Sequence, residues 1–216
     1  MRSLHAARHS ARVARWLGVA CALGFSVAGA HAAAPEVAPG LLLIAADSAD
    51  DPNFRRSVVV IVRHNDWGTL GLVLNRPSPV PLKKFFPDDP VLAAVDEPLY
   101  LGGPVFGGDL MYLFRADAGT AGGAMHVVDD VYASEDAELL DRLVAAPARP
   151  ALRYFFGYAG WGAGQLAREL ADGRWLAGSA TAEVVFDSSP RTLWRRLIHG
   201  REGPWVRLGR WPELRT

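Results

Sequence analysis

Apolar residues follow two rhythms along this chain, and each predicts a different kind of element. Leu41–Ala46 and Ser57–Arg63 are short, nearly unbroken apolar runs, and Thr69–Asn75 resembles the second. Runs of that length, rich in Val and Ile and bounded by turn residues, predict buried strands. His64-Asn65-Asp66-Trp67-Gly68 lies between the second and third, so those two are expected to form a hairpin. Leu99–Leu101 and Leu110–Phe114 flank Gly102-Gly103-Pro104 and predict two strands around a tight glycine turn. Ala124–Val128, Leu152–Phe156 and Ala182–Phe186 continue the series of strands.

The second rhythm is helical. Leu139, Leu140, Leu143 and Val144 share one face of a helix that Ser134 would cap, with Glu135 and Asp136 near its positive end. Gln165–Ala171 places Leu166 and Leu170 one turn apart and stops at Gly173. A last helix, capped by Ser189 with Pro190 in its first turn, buries Leu193, Trp194, Leu197 and Ile198 and ends at Gly200. Five prolines between Arg76 and Pro90 exclude a long helix or a central strand. A surface excursion with a short helical turn at Lys83–Phe86 is expected there. Strands come in runs instead of alternating with helices, so the class is α+β and not a doubly wound parallel sheet. No internal repeat is visible.

The N-terminus reads as a targeting segment. Arg2, Arg8, Arg12 and Arg15 precede an apolar run from Trp16 to Ala30, no acidic residue occurs before Glu36, and Ala30-His31-Ala32 suits cleavage after Ala32. The run has 15 residues, short for a spanning helix, which needs about 20. An uncleaved anchor and a start codon upstream of a cytosolic protein are the competing readings; lipid attachment at Cys21 is weaker, since Gly18 stands where leucine is wanted. The expected organisation is a cleaved signal peptide over 1–32, a linker over 33–40, one domain over 41–200 and a C-terminal tail over 201–216. Cleavage removes four arginines and no acid, leaving 19 basic against 23 acidic residues, a net charge of −4. Such a balance gives no broad electrostatic reason to hold nucleic acid. The single cysteine lies in the leader, so the mature chain is expected to hold no disulfide, thiol nucleophile or thiolate metal site.

Two glycine-bearing stretches carry the candidate chemistry. Gly157–Gly164 leads into the Gln165 helix, where backbone amides suit an anion, yet the spacing is neither G-x-G-x-x-G nor G-x-x-x-x-G-K-[ST]. The plainer account is a strand-to-helix turn requiring left-handed angles, with Trp161 as packing anchor and Gln165 capping its own helix. Asn75-Arg76-Pro77 ends a strand. Asn75 suits tying down a turn, and Arg76 suits pairing with Asp51 or Asp89, or with a ligand carboxylate. The candidate ligand-binding residues are therefore Asn75, Arg76, Trp161, Gly162, Gly164 and Gln165.

No catalytic residue, metal or cofactor is expected. His64, His126 and His199 sit in no compact ligand spacing, and G-x-S-x-G is absent. Asp129 and Asp130, as neighbours on a strand, are expected to face opposite ways. In the tail, Trp205 and Trp211 interleave with Arg201, Arg207 and Arg210, which suits either a contact surface or a segment wrapped on the domain.

Over roughly Gly40 to Ile198 the chain resembles the YqgE/AlgH family of bacterial proteins. The resemblance rests on Leu42-Leu43-Ile44-Ala45, Asp51-Pro52-Asn53-Phe54-Arg55-Arg56-Ser57-Val58-Val59, Gly71-Leu72-Val73-Leu74-Asn75-Arg76-Pro77, Gly102-Gly103-Pro104-Val105, and Gly157-Tyr158-Ala159-Gly160-Trp161 with Gly164-Gln165-Leu166. It implies a single α+β domain with a bifurcated, partly barrel-like, mixed or antiparallel sheet flanked by helices. It implies no reaction, and only loosely a regulatory role. Asp47 stands where the family usually has proline, Phe114 where histidine is expected, and Ala163 where proline is expected. The leader is the larger departure, because members are generally cytosolic.

The function expected is a non-enzymatic binding or regulatory module, exported to the periplasm, recognising a protein or small molecule, with no nucleic acid if exported and no transmembrane segment in the mature chain. Two alternatives stand beside it. One is a hydrolase or transferase with a cleft between Asn75-Arg76 and Gly157–Gly164; the other is a cytosolic, transcription-linked regulator.

Overall fold

The computed structural model describes residues 36–48, 51–107 and 110–200. Two sheets, four α-helices and three short 3-10 helices make up this part of the chain. The first sheet holds β1 (Leu41–Ala45), β2 (Val58–Asn65), β3 (Gly68–Val73), β10 (Ala159–Gly162) and β11 (Trp175–Ser179), in the order β10-β3-β2-β1-β11 and antiparallel throughout. The second holds β4 (Pro77–Pro81), β5 (Pro98–Leu101), β6 (Met111–Arg115), β7 (Met125–Val128), β8 (Val131–Ser134) and β9 (Leu152–Phe156), in the order β4-β5-β9-β6-β8-β7. Only the β5–β9 pair is parallel. The sheets do not close into a barrel, and the architecture is α+β.

The unbroken apolar runs follow from burial on both faces. Leu42, Ile44, Val58, Val60 and Val62 point into a core shared with Met111, Leu113 and Phe155 of the second sheet. Their neighbours Leu41, Leu43, Val59 and Ile61 point the other way, against Leu166 and Leu170 of α2 (Gln165–Ala171). A strand covered on both sides has no reason to alternate apolar with polar. On the far face of the second sheet, Tyr112, Phe114 and Tyr154 pack with Leu139 and Leu140 of α1 (Ala137–Ala145). Phe114, where the family expects histidine, is thus a fully buried core residue. The central layer also takes α3 (Ala182–Val185) and α4 (Pro190–His199), and the Trp194 indole donates to the carbonyl of Ala45 at 2.8 Å.

Several sequence expectations need correction. The strands around Gly102-Gly103-Pro104 are not paired with each other, because β9 lies between β5 and β6. The proline-rich excursion includes β4, an edge strand of the second sheet, where prolines can lack ladder hydrogen bonds. Ser134 ends β8; the α1 cap is Asp136, which accepts from the Leu139 amide at 3.0 Å. Ala182–Phe186 is not a strand but the short α3, begun by Thr181, whose Oγ1 accepts from the Val184 amide. Ser189 occupies the cap position of α4 without a side-chain capping bond. Asp129 and Asp130 sit in the β7–β8 turn, Asp129 with φ of 50°. There Asp129 accepts from the Ala182 amide at 2.9 Å, and Asp130 pairs with Arg115 at 2.7 Å.

The glycine motifs mark where the chain passes from one sheet to the other. Tyr158 bridges Val105 between the sheets, and Gly157 has φ of 70°. A Cβ at Gly103 would lie 2.1 Å from the Tyr158 carbonyl carbon, and one at Gly102 would lie 2.2 Å from the Gly157 carbonyl oxygen. Two backbones cross in contact here, and only glycine lets them.

Candidate functional site

The 157–166 motif builds a carboxylate site around a residue outside the motif itself. β10 turns Trp161 inward, and Gly164, with φ of 68°, starts α2. Gln165 opens that helix. Its Oε1 accepts from the Gly162 amide at 3.1 Å, and its Nε2 donates to Glu169 Oε1, one turn on, at 2.9 Å. The i,i+4 spacing makes that contact natural. Glu169 Oε2 accepts two indole N–H groups, from Trp161 at 2.9 Å and from Trp175 of β11 at 2.8 Å. Burial pushes the Glu169 carboxyl up, but the bonds from Trp175, Gln165 and Trp161 and the nearby Arg174 outweigh it. The net result is a carboxyl held below its ordinary range.

Phe54 completes an aromatic trio. Its ring stacks on Trp161 (5.9 Å between centroids, 17° between planes) and meets Trp175 edge-on at 5.4 Å. The two indoles are themselves 6.0 Å apart at 74°. A cavity of about 250 Å³ opens beside this trio. Ser48, Asp51 and Phe54 form one side of it, and Glu169, Asp172, Arg174 and Trp175 the other.

Asn75 and Arg76 belong to the support of that site and not to its wall. Asn75 accepts from the Val58 amide at 2.9 Å and donates to the Arg56 carbonyl at 2.8 Å. The Arg76 guanidinium donates to Ser57 Oγ at 2.9 Å and to the Arg55 carbonyl at 3.3 Å. Burial draws the Arg76 pKa down, and the charge of Asp51 opposes it. Asp89, the other expected partner, instead accepts from the Val91 and Leu92 amides. The gripped segment contains Arg56, in the left-handed region at φ of 55°, with its guanidinium 5.5 Å from the Trp194 ring centroid. Asn75 and Arg76 therefore hold the loop that delivers Phe54 and Asp51. Among the described residues no hydrogen bond joins them directly to Trp161 or Gln165.

Of the six residues expected from sequence, Trp161, Gly162 and Gln165 are brought together by hydrogen bonds around Glu169, and Gly164 fixes the start of their helix. Glu169, Trp175, Asp172 and Arg174 were not foreseen. The Gln165–Glu169 interval was a usable signal for Glu169; Trp175 had none, because β11 is recognisable only from its pairing with β1. His64 bonds Thr69 at 2.8 Å at the end of β2, His126 bonds the Asp129 carbonyl, and among the described residues no group of His, Cys, Asp and Glu is placed to hold a metal ion. The tail with Trp205 and Trp211, and Cys21, lie outside the described residues.

Comparison with known proteins agrees with this architecture. Residues 42–205 match the AlgH-like family. A UPF0301 protein of Chlorobaculum tepidum is 33% identical over 178 residues, covering 82% of this chain and 93% of the relative. Another from Streptomyces coelicolor is 35% identical over 185 residues, covering 81% and 92%. Among solved structures, the solution structure of AlgH from Pseudomonas aeruginosa is 30% identical, covers 77% of this chain and 90% of that one, and superposes with a TM-score of 0.60. A crystal structure of a Corynebacterium diphtheriae protein is 26% identical, covers 79% and 91%, and superposes with a TM-score of 0.63. With its motifs in order and its fold shared with these structures, the chain belongs to the AlgH-like, or YqgE/AlgH, family.

Proposed function

We propose that this protein is an exported, non-enzymatic binding module whose small ligand enters the cavity beside Phe54, Glu169 and Trp175. The observation that carries the reading is Glu169: a half-buried carboxylate, kept ionised and fixed in direction by three neutral donors, at the wall of an open cavity. A preformed concavity with a few oriented polar groups is what a small-molecule site requires. A hydrolase or transferase using Arg76 has less support, because that guanidinium is engaged with Ser57 and Arg55. The indole N–H signals of Trp161 and Trp175 report on the site directly. In NMR titrations of the full-length chain with small cations, anions and sugars, at least one class is expected to shift both signals saturably. Invariance of both across all classes would sink the reading.

A further inference from the structure

The geometry points to a sixth strand on the first sheet: residues Trp205–Trp211 of this chain's own C-terminal tail, laid along the open edge of β11. Ala46 donates to the Arg174 carbonyl and Ala180 to the Gly40 carbonyl, at the two ends of the β1–β11 register. Hydrogen bonds in an antiparallel pair fall on alternate residues, so Trp175, Ala177 and Ser179 turn their N–H and C=O groups away from β1. Among the described residues no strand pairs with that side of β11. Edge strands are ordinarily guarded by charges, prolines or shortness. β4, an edge of the second sheet, carries three prolines, whereas Trp175-Leu176-Ala177-Gly178-Ser179 has neither proline nor charge.

The path of α4 brings the tail to this edge. Near the start of the helix the Arg191 guanidinium donates to the Pro77 carbonyl, just beyond β3. Arg56, just before β2, lies over the Trp194 ring, and the Trp194 indole donates to Ala45 at the end of β1. The helix therefore crosses the sheet in the order β3, β2, β1, and β11 is next. From Trp194 to Gly200 is about 9 Å of helix, against about 4.8 Å between neighbouring strands, so the chain leaves α4 beside the outer edge of β11. It leaves at the Trp175 end, which pairs with Ala45, and the added strand thus runs parallel to β11. Residues 201–204 give a spacer of up to about 13 Å. Pro204 and Pro212 bracket the seven-residue segment, in which Val206 and Leu208 share one face and continue the central layer past Leu176 and Ile198. Charge agrees: residues 201–216 hold four basic and two acidic residues, and residues 33–200 hold 15 against 21.

The test is amide hydrogen exchange and NOE spectroscopy on the full-length chain. Slow exchange at the outward amides of Ala177 and Ser179 is expected, with NOEs from β11 to Trp205–Trp211 that persist on dilution. Val206→Pro together with Arg207→Pro removes a donor whichever alternate set faces β11. The double variant is expected to speed exchange at those two amides about tenfold or more, while Leu43 in the middle of β1 keeps its protection. Should it fail to fold, the NOEs of the unaltered chain decide. Unchanged exchange in the folded variant would overturn the added strand, and so would fast exchange at both amides in the unaltered chain. Protection that is lost on dilution, or NOEs from β11 to a second copy, would give the edge to a dimer and overturn it as well.

Discussion

Glu169 holds together two indoles and a helix start at the wall of a cavity. Its carboxylate satisfies two indole N–H groups that would otherwise be buried without acceptors. Glu169→Ala is expected to cost about 3 kcal/mol at neutral pH, measurable by urea unfolding. The pH dependence follows from the sign of the shift. Because the folded-state pKa lies below its unfolded value, the stabilisation is fully present above the ordinary carboxylate range and is lost as pH falls through the folded value. The stability gap between wild type and Glu169→Gln is therefore expected to stay constant near neutrality and to narrow in acid. A gap that widened on acidification would contradict the assignment. The sequence pointed to Trp161 and Gln165 through their motif but not to the acid between them. A carboxylate on a helix looks like any solvated charge until the two strands that present indoles to it are in place.

At the scale of elements, the glycine crossing is the most constrained feature. Gly103→Ala places a methyl group against the Tyr158 backbone, which has no rotamer by which to yield. The expected cost is about 3 kcal/mol, or a fall in Tm of roughly 6–12 °C for a domain of this size. A variant melting within about a degree of wild type would show that the crossing relaxes freely. Elements defined by local pattern were legible: the β2–β3 hairpin, α1, α2 and α4 lie close to where periodicity put them. The failures share a cause. Thr181 caps α3 and makes a helix of a β-branched segment that reads as a strand. β10 and β11 are four and five residues long, and their identity comes from partners distant in the sequence.

For the whole molecule, the two sheets enclose a central apolar layer, and α2 and α1 cover the outer faces. No helix among the described residues is long and apolar enough to cross a membrane. The proposed export rests on the N-terminal segment alone, on its arginines, its short apolar run and Ala30-His31-Ala32. Cell fractionation followed by N-terminal sequencing is expected to find the protein in the periplasm, beginning at Ala33. A cytosolic protein retaining Met1 would return the transcription-linked alternative to the front.

Sequence by itself determined the class, the family and the principal strands and helices, because each is written in local patterns of residues. Tertiary structure alone decided that β9 enters between β5 and β6, that Asn75 and Arg76 support a loop, and that Glu169 lies between two indoles. Strand pairing and side-chain convergence join residues far apart along the chain, and no local pattern encodes which of them will meet.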